Sequence, residues 1–334
     1  MKTVKLGRTG PAVSRFGLGC MAMSGTYGPA DRAESIATIQ AALDAGVTVI
    51  DTGDFYGMGS NELLIGEALK GRDRDSFQVS VKFGAMRGPD GAWNGYDARP
   101  AAVKNFLAYT LTRLGLDHID IYRPARLDPN VPIEETVGAI REMIDAGYVR
   151  HVGLSEVGPE TIRKAALEAP ISDLQIEYSL MSRDIEKEIL PICRVLGIGV
   201  TAYGVLSRGM LGGSWKAGTE KRKGDIRGRM PRYDAGNEEK NLALVAALTK
   251  VAEDKGMTTA QAAFAWVAAQ GDDIVPLIGP RTREQLDDIL GAGETELSAE
   301  DLAAIEAAVP KGSAAGSRYN APQMKMLDSE KQAG

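Results

Sequence analysis

Strand-like and helix-like segments alternate one for one along almost the whole chain, and few architectures accept that order. Runs rich in β-branched and aromatic residues recur at Phe16 to Gly19, Val47 to Ile50, Phe77 to Val81, His118 to Tyr122, Val149 to Gly153, Asp173 to Ile176, Ile198 to Tyr203 and Ile274 to Ile278. Between them lie apolar stripes at helical spacing, for example Ile36, Ile39 and Leu43, then Val103, Phe106 and Leu114, then Ile133, Val137, Ile140 and Ile144. Pro132 and Pro159 stand ahead of acidic residues, as at helix starts, and Gly46, Gly115, Gly147 and Gly197 follow the stripes as stops. Single strands alternating with single helices call for a parallel sheet covered by helices. Eight such units favour closure, so the expected fold is α/β, a single (β/α)8 TIM barrel over residues 1–334 with extra helices. Thr3 to Leu6 and Val13 to Phe16, joined by the turn Gly7 to Gly10, read as an N-terminal β-hairpin plugging one end. No linker interrupts the pattern; the one long unpatterned stretch runs from Leu206 to about Gly236, a length that is usually functional or mobile in a compact fold.

Composition narrows the partners. With 39 Lys plus Arg against 45 Asp plus Glu, the net charge of −6 gives no reason to expect nucleic acid or an anionic membrane. No apolar run reaches the length of a membrane span or of a signal peptide, and a cytoplasmic location is expected. Cys20 and Cys193 are too few for a disulfide framework, and His118 and His151 share no metal-ligand motif, so no metal is expected.

The active site of such a barrel lies at the carboxyl ends of its strands. The polar residues expected there are Asp51, Lys82, Ser155, Gln175 and Tyr203, with Gly279 after the last strand and Tyr56 folding back over the mouth from D-T-G-D-F-Y-G. Asp51, Lys82 and Tyr56 have a shared chemical logic. Hydride transfer to a carbonyl leaves an alkoxide, so a proton donor is needed, and a tyrosine with a pKa of about 10 is a weak one at neutral pH. A lysine ammonium at ~4 Å would stabilise the phenolate by at most about 4 kcal/mol. Asp51 would keep that lysine charged and aimed.

The segments D-T-G-D-F-Y-G-M-G-S-N-E-L-L-I-G (Asp51 to Gly66), V-R-H-V-G-L-S (Val149 to Ser155), A-Y-G-V-L-S-R-G (Ala202 to Gly209), I-G-P-R-T-R-E-Q-L (Ile278 to Leu286) and the R-Y-x-x-x-x-M tail at Arg318 to Met324 carry a resemblance over nearly the whole chain. It is to the aldo-keto reductase superfamily, and within it to the microbial reductases similar to potassium-channel β-subunits. The resemblance implies reduction of a small aldehyde or ketone by NADPH, favoured over NADH, with Tyr56 as general acid supported by Asp51 and Lys82. It further implies Ser155 and Gln175 at the nicotinamide carboxamide, Tyr203 stacked on the nicotinamide ring, and Leu206, Ser207 and Gly209 along the pyrophosphate. Arg281 and Thr282 would meet the 2′-phosphate, with Gln285 and Asp288 near the adenine.

Several positions depart from that pattern. The chain reads Y-R-P-A-R where the superfamily has Tyr-x-Gln-His-Arg, so Ala125 stands in place of a catalytic histidine, and Glu156 replaces an Asn after Ser155. Arg123, by strand parity, or Arg126 is expected to replace the missing donor, and the room beside Ala125 to admit a bulky ketone. Phe55, Trp93, Tyr96 and Trp215 are candidates to line an apolar mouth, and the basic stretch Lys216 to Arg232 reads first as a solvated loop and second as a lid. Two rivals stay open: a Schiff-base aldolase using Lys82, and a cofactor-sensing regulatory subunit with vestigial turnover.

Overall fold

Parallel strands cannot be joined by tight turns, and here each barrel strand hands on to the next through a helix laid over the outside. The computed structural model describes residues 1–222, 224–292 and 295–331. β1 (Thr3–Lys5) and β2 (Ala12–Ser14) form an antiparallel hairpin. β3 (Gly17–Gly19), β4 (Val49–Gly53) and β5 (Gln78–Phe83) begin the barrel. β6 (Ala85–Arg87) and β7 (Trp93–Tyr96) make a second hairpin, outside it. β8 (Ile119–Pro124), β9 (Val149–Ser155), β10 (Ile171–Glu177), β11 (Gly199–Tyr203) and β12 (Ile274–Ile278) complete it. The eight strands run in sequence order around a closed barrel, with β12 pairing back to β3. Two helices, Asn237–Glu253 and Thr259–Ala268, separate β11 from β12, and Ala299–Ala308 follows the last barrel helix, Arg283–Leu290.

The hairpin closes the amino-terminal end as its sequence suggested. Val4, Leu6 and Val13 pack with Val49, Ile121, Val275 and Leu277 from inside the barrel. Gly7, at φ +66, lies against the barrel floor, where a Cβ would come within 2.4 Å of the Ser172 carbonyl oxygen, so no other residue fits. Outside the barrel, alternate residues pack under the helices: Tyr122 stacks on Phe83 at 4.2 Å and donates its hydroxyl to the Val103 carbonyl.

Two expectations need revision. The stretch from Leu206 to Gly236 contains three 3-10 turns, Ser207–Gly212, Ile226–Arg229 and Pro231–Tyr233. Its basic residues are not simply solvated. Arg227 pairs with Asp225 and lies over the Trp215 ring at 4.4 Å, Lys221 donates to the Tyr233 carbonyl, and Arg232 donates to Ser182 and the Met181 carbonyl. Lys216, Arg222 and Arg229 are exposed, and Lys223 lies outside the described residues. The β6–β7 hairpin was not anticipated, because its short strands carry no run of alternating apolar residues.

Candidate active site

Strand parity turns Asp51, Lys82, Arg123, Asp173, Gln175 and Thr201 into the barrel. The Lys82 ammonium sits 2.6 Å from Asp51 Oδ1, both side chains almost fully buried. Ser80 donates to Asp51 Oδ2 at 2.8 Å and Gln175 Nε2 to the same oxygen at 2.7 Å, so the carboxylate is held on three sides. Tyr56 opens the 3-10 turn that follows β4, and Lys82 Nζ lies 5.1 Å from the centre of its ring. Asp51, Lys82 and Tyr56 are thus brought together.

The electrostatics differ from the simple expectation. Burial and the Asp51 carboxylate push the Tyr56 phenol well above 10, and the Arg126 guanidinium draws it back. Burial also lowers the Lys82 ammonium, against the pull of Asp51. A phenol held high stays fully protonated at neutral pH, which is the state a proton donor needs.

Arg123 points into the barrel but does not reach the mouth. Its Nη2 donates to Asp173 at 3.0 Å and its Nη1 to Thr201 at 3.2 Å, and the pair is fully enclosed. Gly153 makes the room: a Cβ there would stand 2.8 Å from Arg123 Nε. The expectation that Arg123 meets the substrate is therefore corrected, because its terminal nitrogens are already taken by the buried Asp173 carboxylate and the Thr201 hydroxyl. Ala125 is buried just past the end of β8. Beside it the half-buried Arg126 bends back, Nη1 donating to the Ala125 carbonyl at 2.6 Å and lying 3.5 Å from Ser155 Oγ. Arg126 forms no ion pair among the described residues. Phe55 meets Tyr56 edge-on at 4.8 Å and Trp93 at 6.5 Å, and Trp93 meets Tyr96 at 5.1 Å, which builds an aromatic wall beside the phenol. Trp215 does not join it, being turned to Tyr233 and Glu238.

The residues named for a nucleotide fall at or after the carboxyl ends of β9, β10, β11 and β12. Ser155 ends β9 and Tyr203 ends β11. Leu206 precedes a turn in which Ser207 and Arg208 take φ of 46 and 60, unusual for residues with a Cβ, and Gly209 takes 97. Gly279 is exposed after β12. Thr282 caps the helix Arg283–Leu290 by accepting from the Gln285 amide, while Gln285 accepts from the Arg281 amide at 2.9 Å. Among the described residues the Arg281 guanidinium makes only a 3.5 Å contact with the Pro29 carbonyl. Two residues are already engaged: Asp288 accepts from Thr258, and the Arg208 guanidinium lies 5.2 Å from the centre of the Tyr203 ring.

Sequence reasoning matched the tail to a motif but missed what it binds. Glu156 is fully buried and receives both terminal nitrogens of Arg318, at 2.9 and 2.5 Å, together with the Tyr203 hydroxyl at 2.7 Å. Burial opposes its ionisation, yet the Arg318 charge and hydrogen bonds prevail and hold the carboxyl well below the usual range. The R-Y pair at Arg318 and the Glu in place of Asn at 156 were the two signals, but nothing in the sequence joined them.

A closed eight-stranded parallel barrel with a buried Asp, a paired Lys and a Tyr at the carboxyl ends of its strands defines a barrel oxidoreductase of the type suggested by the motifs. Residues 15–310 match the model of the Aldo/keto reductase family. The chain is 42% identical over 322 residues to a probable aldo-keto reductase 1 of Glycine max, covering 96% of this chain and 92% of the relative. Among solved structures, the glycerol dehydrogenase of Gluconobacter oxydans is similar with a TM-score of 0.83 at 27% identity, over 99% of this chain and 98% of that one. The holo form of an aldo-keto reductase from Bacillus halodurans is similar with a TM-score of 0.76 at 26% identity, over 92% and 96%. The chain belongs to the aldo/keto reductase family and is an enzyme of that family.

Proposed function

We propose that the protein reduces aldehyde or ketone groups of small molecules to alcohols with NADPH, Tyr56 acting as general acid. The observation that carries this is the buried Asp51–Lys82 pair at 2.6 Å beneath the Tyr56 ring, at the carboxyl ends of β4 and β5. A dinucleotide suits the rim because Arg281 stands half-exposed near a helix start, and because Arg208, whose Nη2 is held by Glu177 and Tyr319, keeps an Nε that is buried without a partner among the described residues. When bound, the nicotinamide supplies the hydride. Ser155 and Gln175 hold its carboxamide, Gln175 through Oε1, since Nε2 is committed to Asp51. Tyr203 offers its ring, Leu206, Ser207, Gly209 and Gly279 line the pyrophosphate, Arg281 and Thr282 take the 2′-phosphate, and Gln285 and Asp288 border the adenine. Tyr56 passes its proton to the carbonyl oxygen as that oxygen gains charge, and Lys82, kept charged by Asp51, stabilises the phenolate until solvent restores the proton. The microbial branch similar to potassium-channel β-subunits and a cytoplasmic location belong to this reading; both cysteines are free and buried.

NADPH oxidation measured against a panel of aldehydes, ketones and quinones tests it. Binding of NADPH without turnover of any of them would favour the sensing subunit, and a borohydride-trapped adduct on Lys82 would favour the aldolase.

Arg126 takes the part of the missing histidine in this reading, as the group beside Ala125 with guanidinium donors left over. Loss of one such donor typically lowers the rate about 10²- to 10³-fold, so Arg126→Met is expected to reduce kcat/KM by that amount, and Arg126→Lys by less. An unchanged kcat/KM in Arg126→Met would remove it from catalysis. Arg281→Ala is expected to weaken NADPH binding about 10- to 100-fold, the worth of a charge-assisted hydrogen bond, and NADH binding little. Comparable losses for both nucleotides in a fluorescence titration would assign Arg281 elsewhere.

A further inference from the structure

We propose that Glu156 is a positioning residue which, through Arg318 and Tyr203, makes the C-terminal segment one wall of the cofactor site. The inference rests on the reading of Ser155 and Tyr203 as cofactor residues and assigns their neighbour a different task. An ionised carboxylate has about four lone-pair directions. Glu156 Oε1 receives the Tyr203 hydroxyl at 2.7 Å, Arg318 Nη1 at 2.9 Å and the Glu177 amide at 3.0 Å, while Oε2 receives Arg318 Nη2 at 2.5 Å and Ser329 Oγ at 2.8 Å. No acceptor direction is left for a carboxamide. The Glu156 carbonyl also accepts from the Ser329 amide, so backbone and side chain both bind the tail.

What the carboxylate gains is a rigid link between the barrel and a segment that starts beyond the helix Ala299–Ala308. Arg318 is buried and pairs in addition with Glu330 at 2.7 Å, and the adjacent Tyr319 hydroxyl lies 3.0 Å from that of Tyr203. Asp328 adds a second tether, accepting from the Gly158 amide and the Thr161 hydroxyl. Tyr203 is thereby held at its hydroxyl by Glu156 and Tyr319, which sets the orientation of the ring. An asparagine at 156 would leave the Arg318 guanidinium without its closest counter-ion in a buried place, with Glu177 at 3.5 Å and Glu330 as its remaining acids, so the departure at 156 and the arginine in the tail explain one another.

The test compares wild type, Glu156→Gln, Arg318→Met, their double variant and Arg318→Lys by two readouts. These are NADPH affinity from fluorescence quenching, and hydrogen exchange of residues 316–331 in the cofactor-free protein. Each single variant is expected to weaken NADPH binding about tenfold, the double variant no more than the worse single, and Arg318→Lys to recover part of the loss. Exchange in 316–331 should rise while β4 and β5 stay protected. Wild-type affinity in variants with faster exchange, or additive losses in the double variant, would overturn the proposal. Should Glu156→Gln not fold, Ser329→Ala removes one contact of the same clasp and should weaken binding and protection in the same sense, and no change in either overturns the link. If the wild-type protein binds neither NADPH nor NADH, the cofactor reading fails, and the exchange measurement decides the clasp by itself.

Discussion

Tyr56→Phe is expected to lower kcat for carbonyl reduction by about 10²- to 10⁴-fold while leaving the NADPH Kd nearly unchanged. The substitution removes one hydroxyl and keeps the ring, which retains its edge contact with Phe55 at 4.8 Å and its place over Lys82 at 5.1 Å. The local fold should survive, because Tyr56 begins a 3-10 turn whose capping uses backbone groups and not the phenol. The proton needed by the developing alkoxide then has no donor beside it. Arg126, in the role proposed for it, would still polarise the oxygen but cannot give up a proton, since an arginine stays charged. Single-turnover rates beside a fluorescence titration of NADPH separate the two roles, and a parallel fall in rate and affinity would mean that Tyr56 shapes the cofactor site instead.

Arg123→Met should destabilise the fold by about 3 to 5 kcal/mol, the usual cost of removing one partner from a buried ion pair. Asp173 would keep Thr201 Oγ1 at 2.5 Å and Ser172 Oγ at 3.4 Å and lose Arg123, its only counter-ion among the described residues. The sign of the pH dependence follows. Burial already raises the Asp173 pKa, and Arg123 holds it down, so in the variant the folded-state value rises further. Over the window between the wild-type and variant folded values, the variant keeps a proton that the wild-type folded state releases. Folded protein that binds more protons than unfolded loses stability as pH rises, so the deficit of the variant relative to wild type should grow with pH through that window. Urea melts at several pH values measure it. A deficit that shrinks with rising pH, or none at all, would show that Asp173 does not depend on Arg123.

Much of this was legible from the residues in order. Each of the eight barrel strands falls on a run read from periodicity, although β4, β5, β8, β9 and β10 continue past the residues first taken as their ends. Buried parallel strands are apolar on both sides, and the change to polar residues marks the mouth before the strand itself stops. Parity placed Arg123 inside the barrel correctly and still misjudged its role, since a face of a strand says which way a side chain points and not what it meets.

The chain by itself determined the alternation of strand and helix, the closing count of eight, and the family motifs around Asp51 and Tyr56, because periods of 2 and 3.6 and short turns are local properties. Tertiary structure alone decided the partners: Gln175 on Asp51 across 124 residues, Arg123 on Asp173 across 50, and Arg318 on Glu156 across 162. In a closed barrel every strand end faces a common centre, so a buried charge finds its counter-ion among residues from any strand or from the tail. The choice is settled by packing and by the cost of leaving a charge unpaired, neither of which is written in the spacing of residues along the chain.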